Sequence, residues 1–274
     1  MTPEVYVVLV EFGQQHEQAA VSLLHQMPRR VYAGALVRTV IVDNALERDV
    51  EFEIGPGLHR VTGDNTMREF SGWDRGMAWL ERRYAPVPDS IVALANDTVV
   101  RADKHDRVRD IPPDRAAAAS HGALVGWVDE YPRIFELFGL TLRQWIDTSL
   151  VLAEWRTLHA LLPLAQPLDG NVFADDWRTI FREPSPLSNN YRGYLKTYFF
   201  GEHIDREFEH GWYAQEPLTE HNFAAFKLKL RCVFCEHLLS AHARARGIPL
   251  VDIRPKPLAI DPPASPGDIA VVAS

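Results

Sequence analysis

Three short blocks hold the side chains best suited to chemistry: Asp43-Asn44, Gly63-Asp64-Asn65 and Asn96-Asp97. Two of them end apolar runs, Val37-Arg38-Thr39-Val40-Ile41-Val42 before Asp43 and Ile91-Val92-Ala93-Leu94-Ala95 before Asn96. Carboxylates at the C-terminal ends of parallel strands lie where open α/β sheets bind ligands. There Asp43 can accept hydrogen bonds from a base N–H or a ribose hydroxyl; an Asp-Asn pair also serves as a helix N-cap or turn. Gly63 lets the backbone approach a ligand closely because it has no Cβ, or it forms a plain turn. Asp97 can hold Mg²⁺ or Mn²⁺, hard cations that take oxygen ligands and bridge to phosphates, or it caps the next turn. Together the blocks point to a nucleotide-type site. No G-x-G-x-x-G follows the first strand and no G-x-x-x-x-G-K-[ST] occurs, which disfavours a dinucleotide fold and a P-loop NTPase.

The elements that must position these residues alternate. Val7 to Phe12 reads as a strand buried on both faces, followed by a helix through Glu17 to Leu24 and a strand Val37 to Asp43. That β-α-β order implies parallel pairing with a right-handed crossover. Glu51 to Ile54 reads as a short edge strand and His59 to Thr62 as a strand leading into Gly63. Phe70, Trp73, Met77 and Leu80 recur at helical spacing within 66–83, and Ile91 to Ala95 is the next core strand. Further on, Gly122 to Trp127 and Trp145 to Leu152 read as strands and Glu154 to Leu162 as a helix. Past Pro167 the chain reads as helical over Asp175 to Phe181, Asn189 to Phe200 and Glu220 to Arg246. The expected organisation is an α/β domain over 1–165, a helical C-terminal region over 166–253 packed on it, and a Pro-rich tail over 254–274.

The chain has 274 residues, 46% hydrophobic and 24% charged, an ordinary balance for a globular protein. A net charge of -8 argues against nucleic acid as a partner, since phosphates need a basic surface. No apolar run reaches the roughly 20 residues of a membrane span, and no basic n-region opens the chain. A cytoplasmic location is the expectation. Two cysteines make no disulfide scaffold. Cys232 and Cys235 form a C-x-x-C inside a segment of helical period, with only His237 and His242 near enough to complete a zinc site. Two small core residues on one helix face is the better reading. His203, His210, His221 and His237 are scattered, and no H-E-x-x-H or nucleophile elbow occurs.

Val40-Ile41-Val42-Asp43-Asn44, then Gly63-Asp64-Asn65 with the helix start Phe70-Ser71-Gly72, then Leu94-Ala95-Asn96-Asp97-Thr98, resembles the family 2 GT-A glycosyltransferases. The rhamnosyltransferase-like and rhamnan-synthesis-like members are most alike, and the resemblance covers about 4–160. It implies a GT-A-like, mostly parallel α/β sheet flanked by helices, and a nucleotide-diphospho-sugar donor. It places Asp43 near the base and Asn65 near the ribose or diphosphate, with Asn44 and Asn96 as further donor-binding residues. It also implies a divalent cation, Mn or Mg, at the family's Asp-x-Asp position. Here the triplet is Ala95-Asn96-Asp97, so only Asp97 is left as a metal ligand. Glu69-Phe70-Ser71-Gly72-Trp73-Asp74 departs from the family's Gly-Phe-Gly-Gly-type run, which implies a differently shaped donor pocket. The family's later acidic pair corresponds to Asp175-Asp176. Asp176 is the expected acceptor base and Asp175 its partner; adjacent like charges beside Trp177 raise one pKa. Both acids can instead open a helix, where its dipole favours them. Asp129 is the reserve candidate.

The expected activity is sugar transfer from a nucleotide-diphosphate donor to a saccharide or other hydroxyl acceptor. The alternatives are a nucleotidyltransferase and a catalytically silent nucleotide-sugar-binding module.

Overall fold

The apolar run Tyr6 to Val10 forms the middle of β1 (Glu4–Glu11), which is buried on both faces at the centre of an eight-stranded sheet. Around it lie β2 (Leu36–Asp43), β3 (Glu51–Gly55), β4 (Leu58–Thr62), β5 (Ile91–Asn96), β6 (Leu124–Leu137), β7 (Leu140–Glu154) and β8 (Leu250–Asp252). Their order is β3-β4-β2-β1-β5-β7-β6-β8. All strands except β3 and β7 run in one direction, so the sheet is mostly parallel, as expected. The computed structural model describes residues 3–166, 168, 172–202, 204 and 211–254. Pro167, His203, His210 and the tail from 255 onward lie outside the described residues.

Helices cover both faces. On α1 (Glu17–Val31), Ala20, Leu23, Leu24 and Met27 make one apolar stripe against Val5, Val7, Leu9 and Ile41. On α2 (Glu69–Tyr84), Phe70, Trp73, Met77 and Leu80 make another against Tyr6, Val8, Val10 and Val42. The crossover from β1 to β2 therefore runs over one face and that from β4 to β5 over the other. Gly72 and Gly76 set how closely α2 lies on the sheet. A Cβ at Gly76 would come 2.2 Å from a Val8 methyl, and one at Gly72 2.6 Å from a Val10 methyl. These glycines of the helix start thus serve packing against β1.

Short helices α3 (Ala102–Arg109), α4 (Pro113–Ala117) and α5 (Trp155–His159) follow β5 and β7, and α6 (Asn189–Phe200) and α7 (Phe223–Ala245) complete the chain. No apolar periodicity announces α3, whose ADKHDRVR carries one buried residue, Val108. β6 and β7 are longer than expected because their ends leave the domain core. Phe135, Leu137 and Leu142 pack instead with α6 and α7 in a separate aromatic cluster. The expected helix at Asp175 to Phe181 is a turn. Phe173 bridges Phe181, the Thr179 N–H bonds the Asp176 carbonyl, and the Arg178 N–H bonds the Asp176 carboxylate. Side-chain capping of that kind competes with helix. The region expected to be helical over 166–253 also returns to the sheet, where β8 pairs parallel with β6. Helix α7 joins two cores: Cys232, Cys235 and Leu239 pack with α2 and the sheet, Phe226, Leu230 and Phe234 with the aromatic cluster. Cys232 and Cys235 are buried free thiols, each pushed up to about 12 by burial, in keeping with core residues. Among the described residues no helix is long and apolar enough to cross a membrane.

Candidate active site

The strand order places β1 between β2 and β5, whose preceding crossovers lie on opposite faces of the sheet. A crevice forms at the C-terminal edge at such a switch point, and ligands of open α/β sheets bind there. Three acids end the three strands. Glu11 lies in register with Asp43, and Val10 with Asn96, so Glu11, Asp43 and the Asn96-Asp97 pair share one level of the edge.

Asp43 is 1% exposed, and its Oδ1 accepts the N–H groups of Gly13 at 3.1 Å and Ala45 at 2.9 Å. It ties the loop after β1 to the loop after β2, the turn-forming use of an Asp-Asn pair. Asn44 bonds the Glu11 carbonyl through its N–H and the Arg68 carbonyl through its side chain. Its Oδ1 stands where a Cβ on Gly63 would come within 1.9 Å, so the glycine is there for Asn44. Asn65 and Arg68 both have positive φ, 53° and 50°. Arg68, with ψ of -124°, falls outside the ordinary left-handed well, and strain of this kind clusters at ligand clamps. The half-buried Asn65 is thus on a strained loop between β4 and α2.

Asn96 accepts the Thr98 N–H at 3.1 Å and donates to the Thr148 carbonyl at 3.1 Å, pinning the end of β5 to β7. Asp97 is half-buried at the head of the 3-10 turn Asp97–Val100. Burial pushes its carboxyl above the ordinary value, against the pull of the Phe12 N–H and of His16. Among the described residues no group of three or more His, Cys, Asp or Glu is arranged to hold a metal. Ala95, the position of the missing acid, is fully buried in the core with Leu9 and Leu150, and its carbonyl takes the Trp73 indole N–H at 3.0 Å. The donor set therefore fits only a cation carried mostly by water and phosphate, with Asp97 as the protein oxygen.

Glu11 went unnoticed in the sequence, although it ends β1 as Asp43 ends β2. It is 2% exposed, both carboxylate oxygens lack a hydrogen-bond partner, and the Arg60 guanidinium is 3.7 Å away. Burial, with the negative charges of Asp43 and Asp97 against the pull of Arg60, pushes its carboxyl up to about 7. Beside it Phe12 is 66% exposed, an aromatic ring turned to solvent at the mouth of the crevice.

A second set of charges lies across the edge. β7 carries an irregularity where Gly126 pairs with Val151 but Trp127 pairs with Asp147. Bulges of this kind re-aim side chains and recur near active sites. Gly126 accommodates it, since a Cβ there would meet the Leu150 carbonyl at 2.6 Å. The bulge presents Asp147, paired to Lys104 at 3.0 Å, and leaves both backbone groups of Thr148 to side chains. Its carbonyl takes Asn96 and its N–H donates to Glu236 at 3.1 Å. Burial acts to raise the Asp147 carboxyl, but Lys104 and Ser149 outweigh it and hold it below the usual range.

Asp175 and Asp176 are not brought into this constellation by any hydrogen bond or ion pair shown. Asp175 is 91% exposed and paired to Arg182 at 2.8 Å; Asp176 is exposed and paired to Arg178. Each acid has a guanidinium partner in an exposed turn, and the turn accounts for both. Asp129 is paired to Arg254 at 3.2 Å. His237 is fully enclosed by Tyr131 and Tyr191, which bond its two ring nitrogens, and burial pushes its pKa down to about 3.

No protein-family model matches the chain, and no curated protein matches it. A solved structure described as 4-diphosphocytidyl-2C-methyl-D-erythritol synthase is similar to it, with a TM-score of 0.35 and 13% identity, covering 62% of this chain and 82% of that one.

Proposed function

We propose that the protein transfers a sugar from a nucleoside-diphosphate donor to a hydroxyl acceptor. The observation that supports it is the meeting of Glu11, Asp43 and Asn96-Asp97 at the switch point of a mostly parallel sheet. The exposed ring of Phe12 offers a base a stacking surface, and the strained 63–68 loop offers backbone to the ribose and diphosphate. Asp43 holds the two loops that flank the base, and Asp97 would hold a divalent cation. Such a cation would supply charge neutralisation of the leaving diphosphate. Asn96 keeps the Asp97 turn fixed against β7, so Asp97 needs no rearrangement as the donor enters.

Calorimetric titration of UDP-, dTDP- and GDP-sugars with Mn²⁺ tests the reading. One donor is expected to bind, and Asp43→Ala to weaken it by about 1–3 kcal/mol, because the two loops flanking the base lose the carboxylate that accepts the Gly13 and Ala45 N–H groups. Equal affinity in both proteins would remove Asp43 from the donor site.

A further inference from the structure

Glu236 lies on α7 between the two cysteines' core face and the bulge of β7, and no feature of the strand-end site accounts for it. It is half-buried, so it is enclosed by protein yet still reached by solvent. Its Oε1 accepts the Thr148 N–H at 3.1 Å, and the carbonyl of that same residue accepts Asn96 Nδ2 at 3.1 Å. One residue's backbone thus fixes Glu236 relative to the Asn96-Asp97 turn. The bulge that frees Thr148 from the β6 ladder makes both contacts available.

We propose that Glu236 is the catalytic base that takes the proton of the acceptor hydroxyl, which rests on the transfer reading above. The acceptor oxygen forms its bond to the anomeric carbon as its O–H proton passes to the Glu236 carboxylate. The bond from the anomeric carbon to the diphosphate oxygen breaks, and the nucleoside diphosphate leaves with that electron pair. Glu236 then releases the proton to solvent.

The surroundings suit the role. Burial, then the negative charge of Asp147 and that of Glu69, pushes the Glu236 carboxyl up to about 8, against the pull of Lys229 and the Thr148 N–H. An acceptor near neutral pH is the condition for efficient general-base catalysis. Asp147 is itself tied to Lys104 on α3, and Glu69 stands at the start of α2. The hydroxyls of Tyr191, Tyr194 and Tyr198 on α6 and of Tyr131 on β6 feel the Glu236 charge; burial raises all four, which therefore stay neutral.

The test compares wild type with Glu236→Gln, Asp147→Asn and Lys229→Met. It measures donor affinity by calorimetry and donor turnover with water and a mixed saccharide panel as acceptors, from pH 5.5 to 9.5. Glu236→Gln is expected to bind donor within about twofold of wild type and to lose turnover by about 10²–10⁴-fold. The rising limb of the wild-type pH profile should move to lower pH in Asp147→Asn, which removes a like charge, and to higher pH in Lys229→Met, which removes an opposite one. Turnover by Glu236→Gln within threefold of wild type, or limbs that stay put in both other variants, overturns the assignment while leaving the transfer reading in place. A wild type that binds no donor contradicts the transfer reading itself and the assignment with it. Glu236→Asp serves as the base-retaining control if the glutamine variant does not fold.

Discussion

Asp97→Asn is expected to lower sugar transfer by about 10²–10³-fold, the usual consequence of removing one group that compensates developing charge. In the proposed reaction the diphosphate would arrive at an edge that carries Asp43 and Asp97, and the proposed cation would meet its charge. Asp97 is the one strand-end acid of the three that is half-buried, and Glu11 and Asp43 are sealed at 2% and 1% exposure. An amide retains the hydrogen bond from Phe12 but loses the charge, so the fold should be untouched. Two measurements check this. EDTA should bring wild type down to the level of the variant, and the broadening of UDP phosphorus resonances by Mn²⁺ should be lost in Asp97→Asn. Full wild-type transfer in EDTA would reject the metal role.

Glu11→Gln is expected to make the protein more stable at pH 8 while changing little at pH 4.5. The sign follows from linkage. The Glu11 carboxyl titrates at about 7 in the fold against an ordinary 4.5, so the folded state keeps a proton that the unfolded chain releases. Wild-type stability from this group is therefore full below about 4.5 and falls as pH rises through about 7. The shift corresponds to about 3.4 kcal/mol at most. Glutamine keeps the shape beside Arg60 and does not titrate. Because the other acids are common to both proteins, they cancel in the difference. Urea unfolding at a series of pH values measures it, and a difference that stays constant from pH 4.5 to 8 would show that Glu11 is ionised in the folded protein.

Much of the sheet was legible because its strands carry their own signal. Apolar runs marked β1, β2 and β5, and the Phe70-Trp73-Met77-Leu80 stripe marked α2. Asn96-Asp97 was read as the stop of β5, and the chain does leave the sheet there into a 3-10 turn. What stayed hidden depends on tertiary contacts. β8 is three residues long and is defined only by its pairing with β6. α3 is almost wholly polar, so no periodicity exposes it. Asp175-Asp176 looked functional by its place in the family resemblance and by adjacency, whereas the fold supplies Arg178 and Arg182 as partners. Glu236 carried the opposite signal. It is an acid between buried Cys235 and buried His237, and an acid inside an apolar helical run is worth attention, since burying one is expensive. Its closeness to Asn96 passes through Thr148 and a bulge, which one sequence cannot reveal.

The central claim is that a nucleoside-diphosphate sugar occupies the C-terminal edge over β1 and β5. Hydrogen exchange followed with UDP-glucose, dTDP-glucose and GDP-mannose, each with Mn²⁺, tests it most directly. One donor should slow amide exchange in the loops at 12–16, 44–48, 63–68 and 97–101, which all leave the same edge. Protection confined to the opposite edge, in the loops at 32–35 and 85–90, or no protection with any of the three, would contradict it.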